Sequence, residues 1–457
     1  MKRRHVVARS ALLICMGSLP SLLSSNPASS QQRGGARITL IRDAETESLV
    51  NGFAAPLFGV AGVSPGLVRI SLVRDRALNA FVTTGNRMFL NTGLIQQAST
   101  ALEVIGAMAH ETGHVAHGDI SRLPEQALQA LLESLGSMLI GVAAGVASRN
   151  PGVGAGMVLG GQSMAERRFM AFTRTQEISA DQSALNYLDR LGWSPQGMLN
   201  LFERLEQEEA LVIDRRDPYV VTHPFSRDRL VRVQDHVARI GARGTHATDG
   251  FEPPFRMVKA KLDAFLEAPA YVARAYPAAD PAPETRYANA VLAHRMGHRD
   301  TAVSILDGLI RQAPSSPWLY ELKGQVLLEG GQAQAAAASY QTAMRHAPNQ
   351  PLIRQGYGHA LLETGDATMI RQSVAQLQAA QGRERGDPTT WHLLGIAWGR
   401  LGNVGEANLA LAEEAMLYGN IPVARRFARQ AADALPPGPS RLRALDITNA
   451  SKKENRS

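Results

Sequence analysis

The chain has 457 residues, 45% of them apolar and 19% charged, an ordinary globular composition with room for two or three domains. Its formal charge of +7 falls to +3 once Lys2, Arg3, Arg4 and Arg9 are set aside, because the first thirty residues hold these four cations and no Asp or Glu. So small an excess, with no basic run interleaved with aromatics, excludes a dedicated nucleic-acid binder.

Those thirty residues read as a secretory signal peptide. A basic start is followed by a short apolar run from Ala11 to Leu23, and Ala28-Ser29-Ser30 supplies small residues for cleavage. The run is too short, and too interrupted by Pro20, to span a membrane. Cys15, the only cysteine, lies inside it, so the exported chain has neither thiol nor disulfide. The expected location is the periplasm, with peripheral membrane contact left open.

Residues 31–268 are expected to form one domain. A helical pattern over Ala36 to Val60 precedes three short strands, Val68 to Val73, Asn79 to Thr84 and Arg87 to Asn91, the last two flanking a Gly-Asn turn. Such a sheet offers an edge to an extended peptide, or is purely structural. A helix follows, with Leu102, Val104, Ile105, Met108, Ala109 and Val115 as its apolar stripe. Thr100 and Glu103 suit a capping box, and Gly118 a stop.

That helix carries His110-Glu111-Thr112-Gly113-His114. Residues four apart share a helix face, so His110 and His114 reach one point, half of a zinc site, with Glu111 beside them to take a proton. A third ligand must come from elsewhere. Glu177 is the leading choice, with Asp181 one turn further on to orient a ligating imidazole; His117 is the rival. The apolar stretch from Ala127 to Ala147 and the Gly-rich run to Gly161 suggest a helical pair over the cleft, touching a membrane surface at most, because Gln129 and Glu133 interrupt them. Thr222-His223-Pro224 and Arg229 lie in a polar turn entering another helix.

Residues 269–284, rich in Pro and Ala, read as a linker. Beyond it Gly297, Gly331, Gly365 and Gly402 recur at 34, 34 and 37 residues, echoed seven residues earlier by Ala290, Gly324, Gly358 and Gly395. A 34-residue period with small residues at helix crossings is a tetratricopeptide pattern, placed at 285–435 with an irregular unit near Thr368 to Gly386. Residues 436–457 are expected as a flexible tail. The fold class is therefore α+β and mostly helical: a zincin-like domain with a small sheet, then an all-α solenoid.

Taken in order, His110-Glu111-x-x-His114, Glu177-x-x-Ala180-Asp181, His223-Pro224 and Arg229 resemble the zinc metallopeptidase family that includes the periplasmic beta-barrel assembly-enhancing protease. Asn79-Ala80-Phe81, Thr92-Gly93-Leu94 and the repeats extend the resemblance over nearly the whole mature chain. It implies one zinc per chain with Glu177 as third ligand, and a His223 that reaches the metal or the transition state. It also implies repeats that handle outer-membrane clients or their assembly machinery. His223 or Arg229 stabilises the oxyanion, or His223 fills the open metal position. Two other readings compete: a chaperone or scaffold that keeps a silent zinc fold, and a repeat adaptor unrelated to zinc. The intact Glu111 separates peptidase from silent fold, because a silent fold need not keep its base.

Overall fold

The computed structural model describes residues 39–119, 164–211, 223, 227–240 and 248–450. The expected signal segment and the stretch from Ala127 to Gly161 lie outside the described residues, as do Thr222 and Pro224. Among the described residues no helix is long and apolar enough to cross a membrane.

Strand β1 (Leu40–Ile41) leads into helix α1 (Ala44–Ala61), which therefore starts eight residues later than its pattern suggests. Asp43 sets that start: its carboxylate accepts the Thr46 N–H at 2.7 Å, which fixes an N-cap. Strands β2 (Arg69–Val73), β3 (Ala80–Thr83) and β4 (Arg87–Asn91) match the three expected strands. They form a mixed sheet in the order β1-β2-β4-β3, with β2 and β4 parallel and the other pairs antiparallel. Gly85 and Asn86 turn the β3–β4 hairpin, both at positive φ, 75° and 54°, as a tight twisted hairpin requires. Strand β3 is thus an edge, and it packs beside the metal-motif helix.

After a short helix α2 (Thr92–Gln97) comes α3 (Ala101–His117). Gly118 stops it as expected, at φ 66°, with its N–H returned to the last turn. The capping box does not form. Arg204 draws the Glu103 carboxylate away at 2.9 Å, and the Ala101 N–H is accepted by Glu252, 151 residues downstream. A tertiary partner has replaced the local one.

Helices α4 (Met164–Leu191) and α5 (Gln196–Leu211) pack against α3, and α6 (Arg227–Ile240) packs against both of them. One core holds Phe53, Leu57, Met88, Leu90, Met108 and Phe202 between sheet, α1, α3 and α5, so α3 is buried from Ala101 to His114 except at Leu102. Helix α7 (Glu252–Leu266) then turns toward the repeats. The proposed linker holds a helix of its own, α8 (Pro269–Ala275), whose Val272 packs with Ala260 and Ala264 of α7 against Tyr287.

The repeats are antiparallel helix pairs: α9 (Pro283–Arg295) with α10 (Arg299–Gln312), α11 (Pro317–Glu329) with α12 (Ala333–His346), α13 (Pro351–Glu363) with α14 (Ala367–Arg383), and α15 (Pro388–Arg400) with α16 (Val404–Leu417). The echoed small residues are the crossing points: a Cβ on Gly324 would stand 2.7 Å from the Tyr340 ring, and one on Gly358 2.7 Å from Leu377. The 37-residue step has a simple cause. Helix α14 has 17 residues where α10, α12 and α16 have 14. Helices α17 (Ile421–Ala434) and α18 (Pro439–Ala450) close the solenoid. The expected flexible tail is corrected accordingly over 439–450, where Ala444 and Ile447 are buried against Ala428 and Ala431.

Candidate metal centre

The site is assembled where α3 and α4 cross. Gly113, inside the His-Glu-x-x-His motif, faces Ala180 so closely that a Cβ on it would lie 2.9 Å from the Ala180 Cα. This pair of small residues brings Glu177, one turn before Ala180, against the two histidines. His110 Nε2 lies 3.1 Å from His114 Nε2 and 3.3 Å from Glu177 Oε2, and His114 Nε2 is 3.4 Å from Glu177 Oε1. His223 closes the group, with Nδ1 3.2 Å from Glu177 Oε1 and 3.3 Å from His110 Nε2. Four buried side chains, His110, His114, Glu177 and His223, thus place ligand atoms within 4.8 Å of one another.

Glu111 is fully buried, with Oε1 3.2 Å from His223 Nε2. Asp181 Oδ1 lies 2.8 Å from His110 Nδ1, on the far side of the ring from the cluster, as the spacing on α4 suggests. Arg229, expected as an oxyanion candidate, faces the carboxylates. Its Nε and Nη2 donate to Asp181 at 2.6 and 2.8 Å, and its Nη1 lies 2.8 Å from Glu177 Oε2. His117, the rival ligand, stays outside the cluster, 3.0 Å from Ser183 Oγ.

One residue escaped the sequence reading. Asp119 Oδ2 lies 2.9 Å from His114 Nδ1. The available signal was slight, an Asp directly after the glycine stop.

The charge balance shows what the cluster needs. Glu111, Asp119, Glu177 and Asp181 are four buried carboxylates, against Arg229 as the one buried guanidinium or ammonium among the described residues around the site. An uncompensated buried charge costs several kcal/mol, roughly, so cations must make up the difference. Protons on the imidazoles are one source. Burial disfavours a charged His114, but hydrogen bonds to Asp119 and Glu177 outweigh it and push the group up to about 10. His110 is raised against its burial by Asp181 and Glu177 in the same way. Glu177 is held well below the usual carboxylate range, its burial overcome by His223, Arg229 and the two histidines. A divalent cation is the other source, and the donor set of imidazole nitrogens and one carboxylate suits zinc. The residues fit the metal: His110 and His114 present Nε2, each backed at Nδ1 by a carboxylate.

Residues 42–237 match the model of Peptidase family M48, and residues 284–413 match that of the Tetratricopeptide repeat. A "Beta-barrel assembly-enhancing protease" of Yersinia pestis is 25% identical over 289 residues, covering 60% of this chain and 56% of that protein. The "Metalloprotease LoiP" of Escherichia coli is 27% identical over 177 residues, covering 38% of this chain and 64% of that protein. A "Mitochondrial metalloendopeptidase OMA1" of Schizosaccharomyces pombe is 23% identical over 183 residues, 39% of this chain and 49% of that protein. The chain spans about half the length of the beta-barrel assembly-enhancing proteases it matches.

Proposed function

Residues 42–237 belong to peptidase family M48 and residues 284–413 are tetratricopeptide repeats, and from that premise we propose that the chain is a zinc-dependent endopeptidase of the bacterial cell envelope. The observation that carries this reading is the buried His110, His114, Glu177, His223 cluster with Glu111 fully buried beside it. His110, His114 and Glu177 hold one zinc per chain, and the ion, when bound, supplies the Lewis acidity that brings a water's pKa toward neutrality and polarises a peptide carbonyl.

The chain's own residues do the rest. Glu111 takes the proton from the attacking water and returns it to the leaving amine. Asp181 and Arg229 are positioning residues: Asp181 orients the His110 ring, while Arg229 fixes both Asp181 and Glu177. Edge strand β3 sits beside α3 and suits an extended client segment paired as an added strand. An extended substrate matches a role in removing misfolded or stalled envelope proteins, those of the outer membrane above all. The repeats supply the surface for such clients or for their assembly machinery. The relatives' names and the amino-terminal signal pattern support the envelope setting.

The test is to incubate the purified chain with unfolded outer-membrane proteins, with and without a chelator. Wild type should cleave them and the chelator should stop it. Glu111→Gln removes a base and not a ligand, so it should keep its zinc and lose at least about a hundredfold in rate. Cleavage by Glu111→Gln at the wild-type rate would overturn the scheme.

A further inference from the structure

We propose that Asp119 is a positioning residue of the metal centre, holding His114 from behind as Asp181 holds His110. The inference rests on the metal-centre reading and adds to it a residue that neither the motif nor the comparisons assign.

The argument begins with the end of α3. Gly118 adopts φ 66°, and the Asp119 N–H then donates back to the His114 carbonyl at 3.1 Å. This is the hydrogen bond of a helix-ending Schellman turn, in which the residue after the glycine folds back over the last turn. The side chain of Asp119 is thereby brought over the residue whose carbonyl it caps. Asp119 Oδ2 meets His114 Nδ1 at 2.9 Å, and Asp119 is only 6% exposed. The interval from His114 to Asp119 is thus set by turn geometry: a glycine four residues after the second histidine and an acid at the fifth.

The consequence for the metal follows from imidazole chemistry. A ring that donates its Nδ1–H to a carboxylate is fixed in one tautomer, with Nε2 free to ligate, and becomes a stronger donor. His114 satisfies this condition, its Nδ1 hydrogen-bonded to Asp119 at 2.9 Å, while His110 Nδ1 lies 2.8 Å from Asp181 as a close ion-pair contact. The two supports differ. Asp181 shares its charge with Arg229 through two hydrogen bonds. Among the described residues no lysine or arginine pairs with Asp119; its other neighbour is His117, 3.9 Å away. Asp119 therefore acts on His114 with little dilution of its charge.

The experiment measures zinc affinity of the purified full chain by competition with a chromophoric chelator, alongside far-ultraviolet circular dichroism. Asp119→Ala should keep the helical spectrum and weaken zinc binding roughly 10- to 100-fold, the usual effect of losing such a partner. Asp119→Asn keeps an acceptor for Nδ1–H without the charge and should fall between wild type and Asp119→Ala. His117→Ala, on the neighbouring residue outside the cluster, should bind zinc as wild type does. A folded Asp119→Ala that binds zinc as tightly as wild type would overturn the assignment. If Asp119→Ala does not fold, an Asp119→Asn with wild-type affinity would overturn it instead. A wild-type chain that takes up no zinc would remove the metal-centre reading itself, which is a separate result.

Discussion

His223 supplies a third imidazole, and a fourth candidate ligand, to a site that needs one position for water. With Nδ1 3.2 Å from Glu177 and Nε2 3.2 Å from Glu111, it stands between the proposed ligand and the proposed base. We propose that, seated there, it keeps substrate water out; His223→Ala should then raise basal proteolysis, including self-cleavage, at unchanged zinc content. A fall of about a hundredfold would instead mark an oxyanion role. The protons held by the metal-free site give a second prediction. His114, ordinarily near 6.5, is raised to about 10, so at neutral pH the empty site keeps it charged. In the metal-free chain this stabilising contribution is complete below pH 6.5 and lost as pH rises through about 10. Ligation needs the neutral ring, so zinc uptake near pH 7.5 should release protons, and apparent affinity should rise with pH across that window. Calorimetry in buffers of different ionisation enthalpy counts those protons, and none released would contradict the charge balance. At this scale the sequence was legible wherever spacing alone decides: His110 and His114 by helical period, Asp181 by one turn from Glu177. Asp119 and the true partners of Arg229 were not, because a turn and a distant helix bring them in.

The crossing of α3 and α4 is what turns separate motifs into one site. Gly113 permits it, and Gly106 and Gly197 do the same between α3 and α5, where added Cβ atoms would stand 2.8 Å from Met198 and 2.1 Å from Leu102. Gly113→Ala should therefore separate the helix bearing the histidines from the one bearing Glu177. The expected cost is about 1–3 kcal/mol of stability with a marked loss of zinc affinity. Gly59→Ala, on the exposed side of α1 with nothing within 4 Å, is the control and should stabilise by about 0.5–1 kcal/mol. Equal zinc affinity in the two variants would mean that the crossing does not set the site. The repeat helices were readable because period and glycine spacing are local. The helix-start signal at Thr100 misled because Glu103 answers to Arg204 and Ala101 to Glu252, partners more than a hundred residues or so away in sequence.

The two halves of the molecule share more than a linker. Ala260 and Ala264 of α7 and Val272 of α8 enter the core of the first repeat, while Ala444 and Ile447 of α18 cover the last helix pair. A repeat array needs its ends covered. We therefore expect residues 252–450 to be soluble and helical alone, and residues 285–435 to melt lower or aggregate; thermal melts of the two pieces decide, and equal midpoints would refute the capping role. A buried hub joins the halves as well. Lys261 Nζ lies 2.5 Å from Asp43, 3.5 Å from Glu45 and 3.4 Å from Glu321, and the Tyr287 hydroxyl donates to Glu45 at 2.8 Å. Beside it a crevice of about 410 Å³ runs between Asp43 and the repeat residues Glu321, Tyr340 and His359.

The longer helix α14 has its effect on the far side of this crevice. Three added residues make most of a helical turn, about 4.5 Å of rise, so the helix lengthens without presenting a very different face. They carry Glu384 to within 2.6 Å of Arg42 at the start of the peptidase half. Both partners of that tie are about one-third exposed, 35% and 34%, whereas Lys261 is 1% exposed. Surface pairs are worth little and are screened by salt, while a buried ammonium cannot be left without its carboxylates. The seam is thus fastened by two clasps of unlike kind, and ionic strength tells them apart: added salt loosens the outer clasp at Glu384 and leaves the inner one at Lys261 closed.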